Sequence, residues 1–263
     1  MSNLFVFDLD NTLVSTTHDY ADPILEMCRK IIQVLDEKAP HVSQIVAMEQ
    51  EIDRRRVREV NPDTGKPYFY SMERFPGSLV ETYNQICRRV GESPVLAVQD
   101  ELYRIGLGAF DGKRYGKNLK SGVLEVIEFL RARDDVLFLL TNGDGRVQER
   151  KMAALNARGI RFDGVRIVDD GEKRESHFLE ITREFPNCLG RFSVGDSYES
   201  DIAPAIAVGF YGVWLPVETW DVIGRIEEVR KAVDRNQCRE LSSLRDLMLI
   251  YEELIKKQRG GRR

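Results

Sequence analysis

Leu4-Phe5-Val6-Phe7-Asp8-Leu9-Asp10-Asn11-Thr12-Leu13 begins with four apolar residues in a row and then turns acidic. Aromatic and β-branched types in an unbroken apolar run predict a short strand buried on both faces, as in a parallel sheet. Asp8 and Asp10 arrive where that strand should stop, and Asn11-Thr12 supply turn chemistry. Side chains alternate along a strand, so two carboxylates two residues apart point the same way and crowd one spot. Their repulsion is tolerable if a divalent cation sits between them or if one carboxyl holds a proton, and either state is useful for chemistry. A short acidic pattern after an apolar run also arises by chance, so the rest of the chain must decide.

A strand of this kind needs partners, and they come late in the chain. From residue 119 onward strands and helices alternate. A helix with Val123, Val126, Ile127 and Leu130 leads into a strand Val136–Thr141, a helix from about Gly145 to Arg158 and a strand Val165–Val168. A helix from about Lys173 to Phe185, a strand Arg191–Gly195, a helix Asp201–Val208 and a strand Tyr211–Leu215 follow, with helices continuing from Val222. This order predicts a parallel sheet with helices on both faces, and the first strand belongs to it.

Between lies an all-helical stretch. Asp22 as N-cap and Pro23 at the first helical position open a helix with Ile24, Met27, Cys28, Ile31 and Leu35 on one face. A second helix is predicted from about Val42 to Val60, ending before Asn61-Pro62. Two more carry Leu79, Tyr83, Ile86, Cys87 and Val90, and Val95, Val98, Leu102 and Ile105. A polar joint, Asp111–Lys117, closes the stretch. The expected organisation is an α/β core of residues 1–14 and 119–263 with a helical cap domain, 15–118, inserted after the first strand.

Composition sets the outer bounds. The 263 residues are 42% hydrophobic and 31% charged, with a formal charge of -4 from 39 basic and 43 acidic side chains. No global field draws the chain to nucleic acid or to an anionic membrane. Met1-Ser2-Asn3 has no basic leader region and no apolar run approaches the roughly 20 residues of a membrane span, so the expected location is cytoplasmic. Cys28, Cys87, Cys188 and Cys238 form no CxxC pair and read as buried thiols of a reducing compartment. His18, His41 and His177 show no ligand spacing, Trp214 and Trp220 read as packing residues, and Lys256–Arg263 reads as a frayed tail.

Four polar groups fall at strand ends or helix starts, where open α/β folds bind ligands. They are Asp8 with Asp10; Thr141-Asn142-Gly143; Lys173; and Gly195-Asp196 with Asp201. Singly, each has an ordinary explanation as turn, cap or solvated face. In this order they resemble the haloacid dehalogenase superfamily, whose phosphatases carry DxDxT, an apolar strand ending in Thr or Ser, a Lys, and then GDxxxD or GDxxxxD. The resemblance covers about Ser2 to Val14 and Ser121 to Pro216. It implies a Rossmann-like, doubly wound α/β core with a helical cap, acting on small phosphorylated metabolites.

The resemblance also implies roles. Mg²⁺ is held by the Asp8 carboxylate, the Asp10 backbone carbonyl and Asp196, with Asp201 orienting the group from behind. Lys173 pairs with phosphate and Asp8, while the Thr141 hydroxyl and Asn142 amide hold phosphoryl oxygens. Asp8 is the nucleophile that forms an aspartyl phosphate, and Asp10 is the acid and then the base. Dehalogenases of the superfamily lack a carboxylate at the second position, because halide needs no proton on leaving, so Asp10 favours phosphoryl transfer. Asp169 and Asp170 lie near Lys173 without a motif role. In the cap, Arg54, Arg55, Arg56 and Arg58 and the aromatics Tyr68, Phe69 and Tyr70 fit either an anionic, planar substrate or, with Glu49, Glu51, Asp53 and Glu59 interleaved, a salt-bridged face, which is the stronger reading. The expected partner is a small-molecule phosphate ester, with no nucleic acid and no membrane. A phosphomutase on the same core and a non-catalytic phosphate-binding protein are the alternatives.

Overall fold

The structure is a computed structural model and describes residues 2–112, 115, 117–217, 226–233 and 236–260. Lys113, Arg114 and Gly116 of the predicted joint, Trp220, Val222 and residues 261–263 of the predicted tail lie outside the described residues. The chain forms two compact units, one of Met1–Ser15, Tyr115–Asn142 and Gln148–Arg263, the other of Thr16–Arg114 and Gly143–Val147.

In the first unit six strands form one sheet, β1 (Leu4–Phe7), β2 (Val136–Asn142), β3 (Gly164–Val168), β4 (Arg191–Gly195), β5 (Tyr211–Trp214) and β6 (Cys238–Glu240), in the order β3-β2-β1-β4-β5-β6. Every neighbouring pair is parallel, with Phe7 opposite Leu139 on one side and Val194 on the other. The central strand is buried on both faces by alternation. Phe5 and Phe7 enter one core with Leu137, Leu139, Phe192 and Val194, while Leu4 and Val6 enter another with Phe138, Leu140, Phe178 and Ile181. Phe5 stacks on Phe192 at 4.7 Å between centroids, and each ring of this size contributes about 1.5–3 kcal/mol by leaving water.

Helices cover both faces, as βαβ crossovers require. The helices α5 (Val123–Arg131) and α10 (Asp246–Gly260) pack on the Phe5 side, while α7 (Glu175–Glu184) and α8 (Ala203–Ala207) pack on the other. Two further helices, α6 (Gly145–Asn156) after β2 and α9 (Ile226–Ala232) before β6, complete the described helices of this region. The expected α/β class is thus observed, with two local corrections. The predicted helix over 201–208 is a π-helical turn, Tyr198–Ile202, followed by the short α8. The last segment is not all helix, because Cys238–Glu240 adds a sixth strand beside β5. Only Cys238 of that strand is buried, so no apolar run announces it.

The second unit is helical, with α1 (Thr17–Leu35), α2 (Val42–Arg56), α3 (Arg74–Arg89) and α4 (Leu96–Leu107). Helix α1 begins five residues before the predicted Asp22 cap and carries Pro23 inside. The missing Pro23 amide costs one intrahelical bond, while Tyr20 in the added turn packs edge-on against Phe75 at 5.0 Å and Phe110 at 6.1 Å, so packing decides the start. His41 caps α2 by accepting from the Ser43 amide, and its own amide donates to Gln44. Helix α2 ends at Arg56, short of the predicted Val60. The segment Gly143–Val147 also belongs to this unit, outside the expected 15–118, because Asp144 accepts from the Met72 amide at 3.0 Å and Arg146 reaches Glu73 at 2.7 Å.

Among the predicted cap arginines, Arg55 pairs with Glu81, and Arg56 pairs with Glu81 at 3.2 Å and lies 4.3 Å over the Tyr68 ring. These contacts follow the salt-bridged reading. No described helix is long and apolar enough to cross a membrane, and all four cysteines are buried free thiols.

Candidate active site

In a parallel sheet the carboxyl ends of all strands share one edge, and ligands bind where the direction of winding reverses. Here β2 lies on one side of β1 and β4 on the other, so the reversal is at β1 and β4. Asp8 follows β1 and Asp196 follows β4 directly. Thr141 and Asn142 end β2, and Lys173 stands just before α7.

Lys173 is the centre of the charge arrangement. Its Nζ donates to Asp8 Oδ1 and to Asp201 Oδ1, each at 2.6 Å, in a buried setting. Burial alone would weaken the ammonium, yet Asp201 and Asp8 outweigh it and raise the Lys173 pKa. One lysine does not balance the carboxylates present. Single oxygens of Asp8, Asp196 and Asp201 lie within 4.8 Å of one another. Burial first, and then the charges of Asp201 and Asp10, push Asp8 up to about 7 even against Lys173. Asp196 is likewise raised well above its ordinary value, by burial and then by Asp8 and Asp201.

Such crowding is what a divalent cation relieves, and an all-oxygen donor set suits a hard one. The three carboxylates are not equivalent towards it. Both oxygens of Asp201 are engaged, Oδ1 by Lys173 and Oδ2 by the Ser197 amide at 3.0 Å, while its carbonyl accepts from Ser193 Oγ at 2.7 Å. Asp196 Oδ1 has a long 3.5 Å contact from the Thr12 hydroxyl and no lysine or arginine paired with it among the described residues, and its carbonyl accepts from Trp214 Nε1 at 2.7 Å. Asp8 and Asp196 are therefore the carboxylates whose oxygens suit a cation, with Asp201 fixing Lys173. Gly195 makes this closeness possible, because a Cβ there would fall 2.3 Å from an Asp201 carboxylate oxygen. The π-helical turn after it brings Asp201 back over the strand end.

Asp10 sits in a second arrangement. Its Oδ1 accepts from Lys151 Nζ at 2.6 Å and its Oδ2 from Gln148 Nε2 at 2.9 Å. Gln148 Nε2 also donates to the Asn142 carbonyl at 2.7 Å. Asn142 in turn donates to Ser200 Oγ at 3.2 Å, and the Ser200 amide donates to Ser197 Oγ at 3.2 Å, which closes the chain of contacts back to Asp201. The Thr141 hydroxyl is buried, 3.3 Å from the Asn142 carbonyl. The four polar groups at the strand ends and helix starts thus lie together, while Asp169 and Asp170 are exposed beside them.

Sequence reasoning missed Gln148, Lys151 and Lys120. The first two stand three apart on a helix that starts just beyond Thr141-Asn142-Gly143, which places them on one face pointing back at the strand ends. That spacing was legible, but among charged neighbours a lysine on a helix reads as solvated. Lys120 donates to the Asn11 carbonyl; burial lowers its pKa, while Asp196 and Asp8 pull it the other way. Asn11 itself has φ of 58°, a left-handed turn that Asn tolerates.

Comparison with known proteins agrees with this architecture. A hydrolase family model described as haloacid dehalogenase-like hydrolase matches residues 3–209. Among curated proteins none matches the chain. A haloacid dehalogenase-like family hydrolase from Xanthomonas campestris superposes with a TM-score of 0.66 at 19% identity, covering 100% of this chain and 99% of its own. A HAD phosphatase from Thermococcus onnurineus gives 0.55 at 18%, covering 95% and 98%. A 2-haloacid dehalogenase from Pseudomonas syringae gives 0.53 at 19%, covering 96% and 99%. At such identities the structural likeness speaks for the fold alone, and its members carry two different chemistries.

Proposed function

We propose that this chain, which belongs to the haloacid dehalogenase-like hydrolase family, is a Mg²⁺-dependent phosphatase acting on a small phosphorylated metabolite through an aspartyl phosphate on Asp8. The observation that carries the choice between phosphatase and dehalogenase is Asp10, a carboxylate two residues beyond Asp8 and close enough to shift its titration. A departing alkoxide needs a proton and a departing halide does not, so a held acid and base has work only in phosphoryl transfer.

In this reading an Asp8 oxygen attacks phosphorus and the ester P–O bond breaks, with the proton of Asp10 going to the leaving alcohol. Asp10 then takes a proton from the water that attacks the aspartyl phosphate, and orthophosphate leaves as Asp8 is released. Lys173 holds Asp8 in place and offers its charge to the phosphoryl oxygens. The Thr141 hydroxyl and the Asn142 amide meet those oxygens as charge spreads over them. The carboxylates of Asp8 and Asp196 with the Asp10 carbonyl would hold Mg²⁺, and Asp201 orients Lys173 and the strand end behind them. Bound there, Mg²⁺ supplies the positive charge that lets an anionic nucleophile approach a dianionic ester.

The test is phosphate release from an aryl phosphate with Mg²⁺ and with EDTA, beside a panel of nucleoside monophosphates and sugar or polyol phosphates, and chloride release from a 2-chloroalkanoate. Metal-dependent phosphate release without chloride release is the expected result, and the ranking in the panel names the substrate class. Chloride release without phosphate release overturns the reading, and release of neither moves it to a phosphomutase or a phosphate-binding protein.

A further inference from the structure

We propose that Lys151 and Gln148 are positioning residues for Asp10, fixing both of its carboxylate oxygens so that it meets the leaving oxygen of the substrate. The inference rests on the phosphatase reading and adds to it a device that no motif of the sequence specifies.

The observations are geometric. Lys151 is 5% exposed and Gln148 2%, yet both carry strongly hydrated groups. Burying a lysine is costly unless an anion pairs with it, and the anion here is Asp10 in its base form, 2.6 Å from Nζ; the proton it carries as acid sits on a lone pair that the two donors leave open. The aromatic ring of Tyr115, its centroid 5.6 Å from Nζ, adds a second attraction for the cation. Gln148 spends its amide nitrogen on two acceptors, Asp10 Oδ2 at 2.9 Å and the Asn142 carbonyl at 2.7 Å. One side chain therefore ties the acid that follows β1 to the peptide that ends β2. Because both partners of Gln148 are acceptors, the orientation of its amide is fixed by the contacts themselves.

The Asp10 side chain keeps about a third of its surface, 30%, open. Without the two donors its carboxylate would be free to turn about its terminal bond, whose torsional preference is broad. A misplacement of that kind leaves substrate binding intact and penalises the step in which the ester bond breaks, where the leaving alkoxide takes a proton.

That difference defines the experiment. With Mg²⁺ present, kcat/KM is measured for the wild type, Lys151→Met and Gln148→Leu on phosphate esters whose leaving groups run from p-nitrophenol to a simple alcohol. Esters with good leaving groups need little help from an acid. Lys151→Met is expected to lose about 10- to 100-fold on the alkyl ester and at most a few-fold on p-nitrophenyl phosphate, and Gln148→Leu a smaller loss in the same pattern, both with inorganic phosphate inhibiting as it does the wild type. An equal loss on all esters, or none on any, in whichever variant folds overturns the positioning role. Failure of the wild type to release phosphate from any ester overturns the phosphatase reading instead, which keeps the two outcomes separate.

Discussion

The two ends of the central sheet carry buried polar networks of opposite character. At the amino end, Asn3 donates its amide and Nδ2 to Asp135 Oδ1 at 2.8 and 2.9 Å, Tyr251 donates to Asp135 Oδ2 at 2.7 Å, and Asn3 Oδ1 accepts from the Gly190 amide at 3.2 Å. One carboxylate is surrounded by neutral donors, and the network ties β1 to α10 and to the loop before β4. At the carboxyl end, Asp8 and Asp201 share Lys173, and Asp196 lies close beside them. The first network satisfies itself; the second stays short of positive charge. Burial raises carboxyl pKa values at both ends, but only at the carboxyl end do further carboxylates add to the rise. A buried cluster that keeps such repulsion is a candidate ligand site, whereas a network whose polar groups are paired holds the fold together.

The largest effect should come from removing the charge of Asp8. Asp8→Asn is expected to cut phosphate release by at least about 10³-fold, while in EDTA above pH 7 the protein melts no lower than the wild type, because the neutral amide relieves the repulsion around it. The sign follows from linkage. The folded-state pKa of about 7 lies above the ordinary carboxylate value of 3.8, so stability is fully present below the lower value and is lost as pH rises through the higher one. A large fall in melting temperature with the substitution would break the contrast.

At the other end the same kind of change should do the reverse. Tyr251→Phe leaves Asp135 Oδ2 without its buried donor and is expected to cost about 1–3 kcal/mol by denaturant unfolding, with turnover per folded molecule unchanged. Lost turnover at full stability would show that the amino end reaches the chemistry.

The helical unit sharpens the comparison with a smaller, pH-limited effect. Glu49 is 1% exposed and accepts from Ser78 Oγ at 2.9 Å, and burial followed by the Asp53 charge pushes it up to about 8 from its ordinary value of 4.5. Its contribution is fully present below the lower value and is lost as pH rises through the upper one. Glu49→Gln should therefore flatten the melting temperature between pH 5 and about 8.5. An unchanged slope would assign the pH dependence of stability to the sheet edge alone.

Much of this was legible in the sequence, for reasons that differ by element. β1 announced itself because burial on both faces needs an unbroken apolar run, and Asp8 and Asp10 because nothing in a packed strand end calls for two carboxylates. Strand β6 was hidden because Cys-Arg-Glu at a sheet edge buries only one side chain. The start of α1 was misplaced because a good local cap at Asp22 lost to the packing of Tyr20 on Phe75. Lys151 and Gln148 were invisible as partners of Asp10 because they stand more than 130 residues from it in the chain.

By itself, then, the sequence determined the periodicities that make strands and helices, the order in which they alternate, and the residue types at the strand ends. These are local, set by side-chain alternation, apolar runs and turn chemistry. Only the tertiary structure decided which strand lies beside which, that Asp201 and Asp8 share one lysine, and that Asp10 is held from a helix after β2. Contacts between distant residues depend on the sheet order and on the close approach that Gly195 allows, and neither is carried by any single stretch of the chain.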